Sequence, residues 1–382
     1  MKASRLIRRP ICLALLLAAA TFLANAQVPD RASALALEQQ GHTAEAEQIW
    51  QSIANTNPNN AEAFAHLGLL EAREGKYDQA ITHDRRALKL DPANPAIQLN
   101  LGLALFKAER FAEAASAFTA ELKKHPGDQR LTILVAMSHY GMGDYLVAIP
   151  YLQQAAARDP QNLPLRLTLA HACMWSKQYQ CVLDTEKEIL TLNPNSAEAD
   201  MLAGEALDEE GNSDGAVAQL RAAALANPKE PNVHFGLGYL LWKQSKFEEA
   251  IPEFKAELEN NPSQVTARSY LADSYINLQQ YDQAEPQLLR CAKEDPTLVM
   301  VHRDLGILYV STNRAAEAEK ELKRAIELDA GDVASHWRLA KLYQAAGRKD
   351  EARAEFTFVS KSVNKGDEAL AEKIARSAAA KP

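Results

Sequence analysis

The chain has 382 residues, of which 47% are hydrophobic and 24% charged, with a formal net charge of −8. That balance is ordinary for a globular protein with a sizeable core. The acidic surplus argues against nucleic acid or an anionic membrane as partner, since both call for basic patches.

Lys2, Arg5, Arg8 and Arg9 precede an apolar run from Ile11 to Leu23, and Ala24-Asn25-Ala26 then offers small residues at a cleavage site. This order predicts a secretory signal peptide over residues 1–26, removed after Ala26. The run is about 13 residues, short of the roughly 20 that a spanning helix needs. Cys12 opens the run rather than closing it, which speaks against lipid attachment there. Cleavage would leave 38 basic against 50 acidic side chains, a net charge of −12, on a soluble protein that is periplasmic or secreted.

From Gln27 onward the sequence repeats itself. Pro58, Pro92, Pro126, Pro160, Pro194, Pro228, Pro262 and Pro296 stand 34 residues apart, and the next beat falls on Ala330. Ala46, Ala80, Ala114, Ala148, Ala216, Ala250, Ala284, Ala318 and Ala352 keep the same interval, with Val182 the departure. Ten units, starting at 27, 61, 95, 129, 163, 197, 231, 265, 299 and 333, fill residues 27–366 without an insertion. A fixed period of this size marks a solenoid, and each unit has room for two helices of three to four turns. In the stretch from Glu62 to Pro92, Phe64, Leu67, Gly68 and Glu71 follow helical spacing, and Gly75 breaks the chain. Ala80, Ala87 and Leu88 then line a second helix that Asp91-Pro92 stops. Pro150, Pro252 and Pro286 share one place near the start of second helices, where a missing N–H costs little. Residues 367–382, with Asp367 as a helix cap and Leu370 and Ile374 on one face, are expected to cover the open end of the array.

Leu237, Gly238, Leu241, Ala250, Phe254 and Pro262 resemble the pattern of the tetratricopeptide repeat family. So do Leu271, Ala272, Tyr275, Ala284 and Pro296; Leu305, Gly306, Tyr309 and Ala318; and Leu339, Tyr343, Ala352 and Phe356. The resemblance implies an all-α, right-handed superhelical solenoid of about ten helix-turn-helix units with a C-terminal capping helix. The family's first bulky aromatic is replaced by His234, His302 or His336. The resemblance also implies that first helices line an inner groove that binds protein or peptide partners.

In Val233–Trp242, Phe235, Tyr239 and Trp242 form a stripe at i, i+4 and i+7, displaced by one residue from the core face. The family pattern turns that stripe toward the groove. The same places hold Leu99, Leu103 and Phe106; Ile133, Met137 and Tyr140; and Leu167, His171 and Met174, with Trp175 adjacent. The character then changes to Met201, Glu205 and Asp208, with Glu209 beside them. Ser269, Asp273 and Ile276 follow, then Arg303, Ile307 and Val310. Either these apolar side chains pack between neighbouring units, or they form a binding groove of the rigid aromatics and methionine that binding surfaces favour. Glu205, Asp208, Glu209 and Asp273 are either solvated charge or an acidic step that meets a basic group on the ligand. The resemblance extends poorly to family members that clamp acidic C-terminal tails. The corresponding places hold Ala65 and Leu69, Asn100, and Arg130 and Leu134, which match in only two of five.

Cys173 and Cys181 straddle a hairpin turn, and an oxidising compartment would favour a disulfide between them; two free thiols are the alternative. Cys291 replaces a small buried alanine of the repeat. No metalloprotease, nucleophile-elbow or phosphate-loop motif is present, and Gly236 and Gly238 lie inside a helix with no strand before them. The sequence therefore predicts a non-enzymatic scaffold without cofactor or metal, binding an extended peptide or envelope-protein segment. A carrier for an apolar or polysaccharide ligand, stacking on Trp175, Tyr239 and Trp242, is the alternative.

Overall fold

A computed structural model describes residues 30–362, and every regular element among them is an α-helix. The expected leader and the expected capping segment with Asp367, Leu370 and Ile374 lie outside the described residues. The chain divides into two compact units, one ending at Leu165 and one starting at Arg166.

The first unit holds α1 (Arg31–Gln40), α2 (Thr43–Thr56), α3 (Ala61–Arg73), α4 (Tyr77–Leu90), α5 (Pro95–Lys107), α6 (Phe111–Lys124), α7 (Gln129–Gly141) and α8 (Tyr145–Arg158). Helix α9 (Leu163–Trp175) begins at the junction. The second unit continues with α10 (Tyr179–Leu192), α11 (Ala197–Glu209), α12 (Ser213–Ala226), α13 (Val233–Lys243), α14 (Phe247–Asn260) and α15 (Val265–Asn277). It ends with α16 (Tyr281–Glu294), α17 (Val299–Ser311), α18 (Ala315–Leu328), α19 (Val333–Ala345) and a helical stretch at 349–362. Within each unit, successive helices pack on one another. In the second unit α11, α13, α15, α17 and α19 also touch in a row. The architecture is an all-α helical-repeat solenoid.

Local chemistry explains the punctuation. Most second helices end at an Asx-Pro pair such as Asn57-Pro58, Asn261-Pro262 or Asp295-Pro296, because proline drives the residue before it out of the helical region; α6 ends at His125-Pro126 and α18 at Asp329-Ala330. The Asx side chain then accepts a backbone N–H two residues on, as Asp295 does from Thr297 at 3.0 Å. Pro150, Pro252 and Pro286 stand in the second turn of α8, α14 and α16, later than expected, and the helices continue through them with the rings exposed.

Inside each hairpin the turn passes through one left-handed residue at the same place in the repeat. Gly41, Gly75, Gly143, Gly211 and Gly347 occupy five of these places; Glu109, Lys177, Ser245, Gln279 and Asn313, with φ of 57 to 60°, occupy the other five. A side chain in this conformation costs on the order of 1 kcal/mol, which glycine avoids. Lys177→Gly and Gln279→Gly are each expected to stabilise the protein by up to about 1 kcal/mol, offset in part by the greater freedom of glycine in the unfolded chain. Urea midpoints that fall instead of rising would contradict this.

Each hairpin closes around a small residue on the first helix and a large one on the second. A Cβ on Gly102 would lie 2.5 Å from the Phe118 ring, and one on Gly306 would lie 2.6 Å from Leu322. Trp50, Phe118, Leu152, Leu220, Phe254, Leu288 and Leu322 fill the large place and are all buried. Two units break the rule with acids, Asp84 and Glu186, which are also buried.

In the seventh to tenth units the place of the family's bulky aromatic, held by Phe64 in the second unit, is filled by a polar clasp across the hairpin. His234 Nδ1 lies 2.6 Å from Glu253 and His302 Nδ1 2.7 Å from Glu321, while His336 pairs with Glu355 in the same way. Arg268 donates to Gln287 at 3.2 Å from the equivalent position. The hydrogen bond from His302 holds the Glu321 carboxyl below its ordinary range.

Candidate ligand-binding site

Helix α13 departs from the repeat in two ways. The other first helices from α3 to α19 have 13 residues, whereas α13 has 11, because Pro231 and Asn232 leave its first turn unwound with Asn232 at φ 66°. Its second departure is Gly236, at a place where the other units from α3 to α19 carry side chains of varied size, His66, Asn100, Leu134, Thr168, Leu202, Tyr270, Asp304 and Arg338. A Cβ at Gly236 would meet nothing closer than Leu220 at 3.5 Å. The missing side chain and the unwound turn together open a cavity of about 290 Å³ between α11 and α13, with Met174 of α9 at its edge.

Met174, Met201, Leu220, Phe235, Tyr239 and Leu240 supply the apolar lining of this cavity, and Glu205, Asp208 and Glu209 its acidic lining. Phe235 and Tyr239 of the aromatic stripe and Glu205, Asp208 and Glu209 of the acidic step, features of successive units in the sequence, therefore meet in one place, and Trp242 does not join them. Glu205 and Glu209 are exposed and one turn apart on the same face of α11. Asp208 holds the ammonium of Lys243 at 2.8 and 2.9 Å, and Glu209 accepts the phenolic O–H of Tyr179 at 3.2 Å. Asp273 does not join this cavity. It accepts the indole N–H of Trp242 and an N–H of Asn277, and burial raises its carboxyl above the ordinary range.

The stripe on α13 is half-buried, not a free platform. Phe235, Tyr239 and Trp242 stack in series, with ring centroids 6.3 and 6.0 Å apart, and Tyr270 of the next first helix meets all three edge-on. Trp242 is fixed further by Asp273, so only part of each ring remains open. Beyond it, Arg303 pairs with Asp332 at 3.1 Å, and Asp304 is raised well above the ordinary range by burial. The stripe continues in α19 with Trp337, which is exposed with Lys341 Nζ 5.6 Å from its ring centroid.

In the first unit Leu103, Phe106, Met137 and Tyr140 are likewise half-buried. Phe106 meets Phe111 edge-on at 5.3 Å, and Tyr140 meets Tyr145 at 5.5 Å, so each packs on the aromatic that opens the following helix. A cavity of about 420 Å³ in that unit includes Ala65, Leu69 and Asn100, but Glu62 and Asp91 also line it, which disfavours an anionic tail there. Trp175 is exposed and lies beside His171, with ring centroids 5.4 Å apart.

Cys173 of α9 and Cys181 of α10 are bonded, with Cα atoms 5.7 Å apart. The bond pins the hairpin next to Met174. Reduction is expected to cost about 2 kcal/mol by the entropy of closing a short loop, read as a lower urea midpoint with reductant; an unchanged midpoint would contradict a structural role. Cys291 is buried, and desolvation pushes its thiol up to about 12, which leaves it unreactive. Among the described residues no group of three or more His, Cys, Asp or Glu side chains is placed to hold a metal ion.

The sequence signal for the cavity was present but is visible only by comparing units in register. Gly236 stands out only when its counterparts are seen to carry side chains, from Thr168 and Asp304 to Leu202 and Tyr270.

Paired helices, one left-handed turn residue in each hairpin and a row of touching first helices define a helical-repeat solenoid protein. Models described as tetratricopeptide or TPR repeats match residues 70–108, 99–162, 201–265, 235–298 and 309–371. The chain belongs to the tetratricopeptide repeat family. Superkiller protein 3 of Schizosaccharomyces pombe is 27% identical over 131 residues, which is 32% of this chain and 9% of that protein. BBSome complex member BBS4 of Bos taurus is 23% identical over 199 residues, 52% of this chain and 38% of that protein. The chain thus spans well under half the length of these relatives. The C-terminal part of a TPR repeat-containing protein from Cytophaga hutchinsonii shares the fold, with a TM-score of 0.54 at 15% identity over 63% of this chain and 99% of that one.

Proposed function

We propose that this protein is an exported, non-catalytic interaction scaffold that binds an extended peptide segment of a protein partner along the first helices α9, α11 and α13. The observation that carries this reading is the convergence of Met174, Met201, Phe235 and Tyr239 from three first helices on one cavity. Its volume, about 290 Å³, falls at the lower end of sites that take whole small molecules and suits a side-chain anchor. Apolar pockets that receive one anchor, on a scaffold fixed by repeats, are how such surfaces reach useful affinity. The mutual packing of Phe235, Tyr239, Trp242 and Tyr270 uses the ring faces that a stacked sugar or lipid chain would need, which favours the peptide. The charged and apolar runs of residues 1–26 and the Cys173–Cys181 bond both fit an oxidising compartment outside the cytoplasm. Among the described residues no helix is long and apolar enough to cross a membrane.

Panning the protein against a phage-displayed random peptide library tests this reading. Binders are expected, and a synthetic copy of one should lose about tenfold in affinity on Tyr239→Ala. A library that yields no binder would sink the proposal. Amino-terminal sequencing of the protein from its native host should start at Gln27; a start at Met1 would contradict export.

A further inference from the structure

We infer that the cavity between α11 and α13 selects a peptide in which a large apolar side chain stands close to a lysine or arginine. This rests on the peptide-binding reading above and specifies its ligand.

The apolar half of the inference follows from the cavity's shape. Gly236 removes the side chain that other units place here, and Met201, Leu220, Phe235 and Leu240 surround the gap. Methionines re-pack around anchors of different outline, so the gap accepts a class of large apolar side chains rather than one. These four offer a polar anchor nothing beyond the weak acceptor sulfur of Met201, so the hydrogen-bonding groups of the cavity are left to Asn232, Tyr239 and the three acids.

The basic half follows from charge. Glu205, Asp208 and Glu209 line one side of the cavity, and the chain already places one ammonium there, Lys243 on Asp208 at 2.8 Å. That pair holds Asp208 directly and leaves Glu205 and Glu209 without a salt bridge of their own: burial raises the Glu205 carboxyl above its ordinary range, with the His171 ring acting against this, and Glu209 accepts from the phenol of Tyr179 with the Lys243 ammonium nearby. His171, on the neighbouring helix, is engaged with Glu198 at 2.8 Å. Two exposed carboxylates beside an apolar gap complement a ligand cation, and an acidic ligand would meet like charge. The mature chain's surplus of acids adds a long-range attraction of the same sign.

The library selection reads both halves. Selected peptides are expected to carry an aromatic or large aliphatic residue within a few positions of Lys or Arg. Their affinity should fall about tenfold in Glu205→Gln/Glu209→Gln, and the dependence on salt should shrink with it. Gly236→Leu, which refills the gap, should also weaken binding about tenfold, and Gly236→Ala should weaken it less, with an undiminished helical signal and a urea midpoint that does not fall as the control for folding. Selected peptides without basic residues, a doubly neutralised protein that binds as well as the original, or Gly236→Leu binding unchanged would each overturn the inference while leaving peptide binding standing. Failure to select any peptide would instead remove the reading on which it rests.

Discussion

Asp84→Leu is expected to stabilise the protein by roughly 3–4 kcal/mol more at pH 8 than at pH 4. Asp84 occupies the large apolar place of its hairpin, is fully buried, and neither carboxyl oxygen has a hydrogen-bond partner. Burial, helped by the nearby Glu71, pushes its carboxyl from 3.8 up to about 7. The folded state therefore keeps a proton that the unfolded chain releases. The stability this group contributes is present below about pH 4 and is lost as pH rises toward 7, so the wild-type protein should weaken over that window. Leucine fits because Gly204 with Leu220 and Gly306 with Leu322 are the same pair on the same backbone places as Gly68 with Asp84. Urea midpoints at pH 4 and pH 8 check this. A variant that keeps the pH-dependent loss, or is less stable at pH 8, would show that Asp84 is satisfied in a way the structure does not contain.

Two glycines of α13, two residues apart, should respond in opposite ways. A Cβ on Gly238 would stand 2.8 Å from the ring of Phe254, which is fully buried with no room to retreat. Gly238→Ala is thus expected to destabilise by about 1–3 kcal/mol through overpacking. Gly236→Ala meets only ordinary contacts and gains helix propensity, up to about 1 kcal/mol of stability. The contrast separates a glycine kept for packing from one that opens the cavity. Equal destabilisation by both would mean that Gly236 is also a packing residue and that the cavity is filled in solution.

The fold was legible because one constraint acts at every unit. Each hairpin must stop its second helix, turn through a left-handed residue and let two helices approach, so Asx-Pro pairs, turn residues and buried alanines recur in phase. What escaped was chemistry that depends on side chains far apart in sequence. The His302–Glu321 clasp joins residues 19 apart, and the Lys243–Asp208 pair residues 35 apart. Neither has a local pattern. The stripe of Phe235, Tyr239 and Trp242 was readable from helical spacing, but its burial was not, since Tyr270 and Asp273 come from the next first helix. Asp273 accordingly read as part of the acidic step although it belongs to Trp242. Glu205, Asp208 and Glu209 read correctly as one helix face, while the gap beside them required seeing what Gly236 lacks.

Backbone amide exchange of the whole protein, with and without a saturating library-selected peptide, shows where the peptide sits. Slowed exchange is expected in Ala197–Glu209 and Val233–Lys243, with Ala61–Arg73 and Pro95–Lys107 unchanged. Protection confined to the first unit, or to second helices away from the cavity, would contradict binding at the cavity.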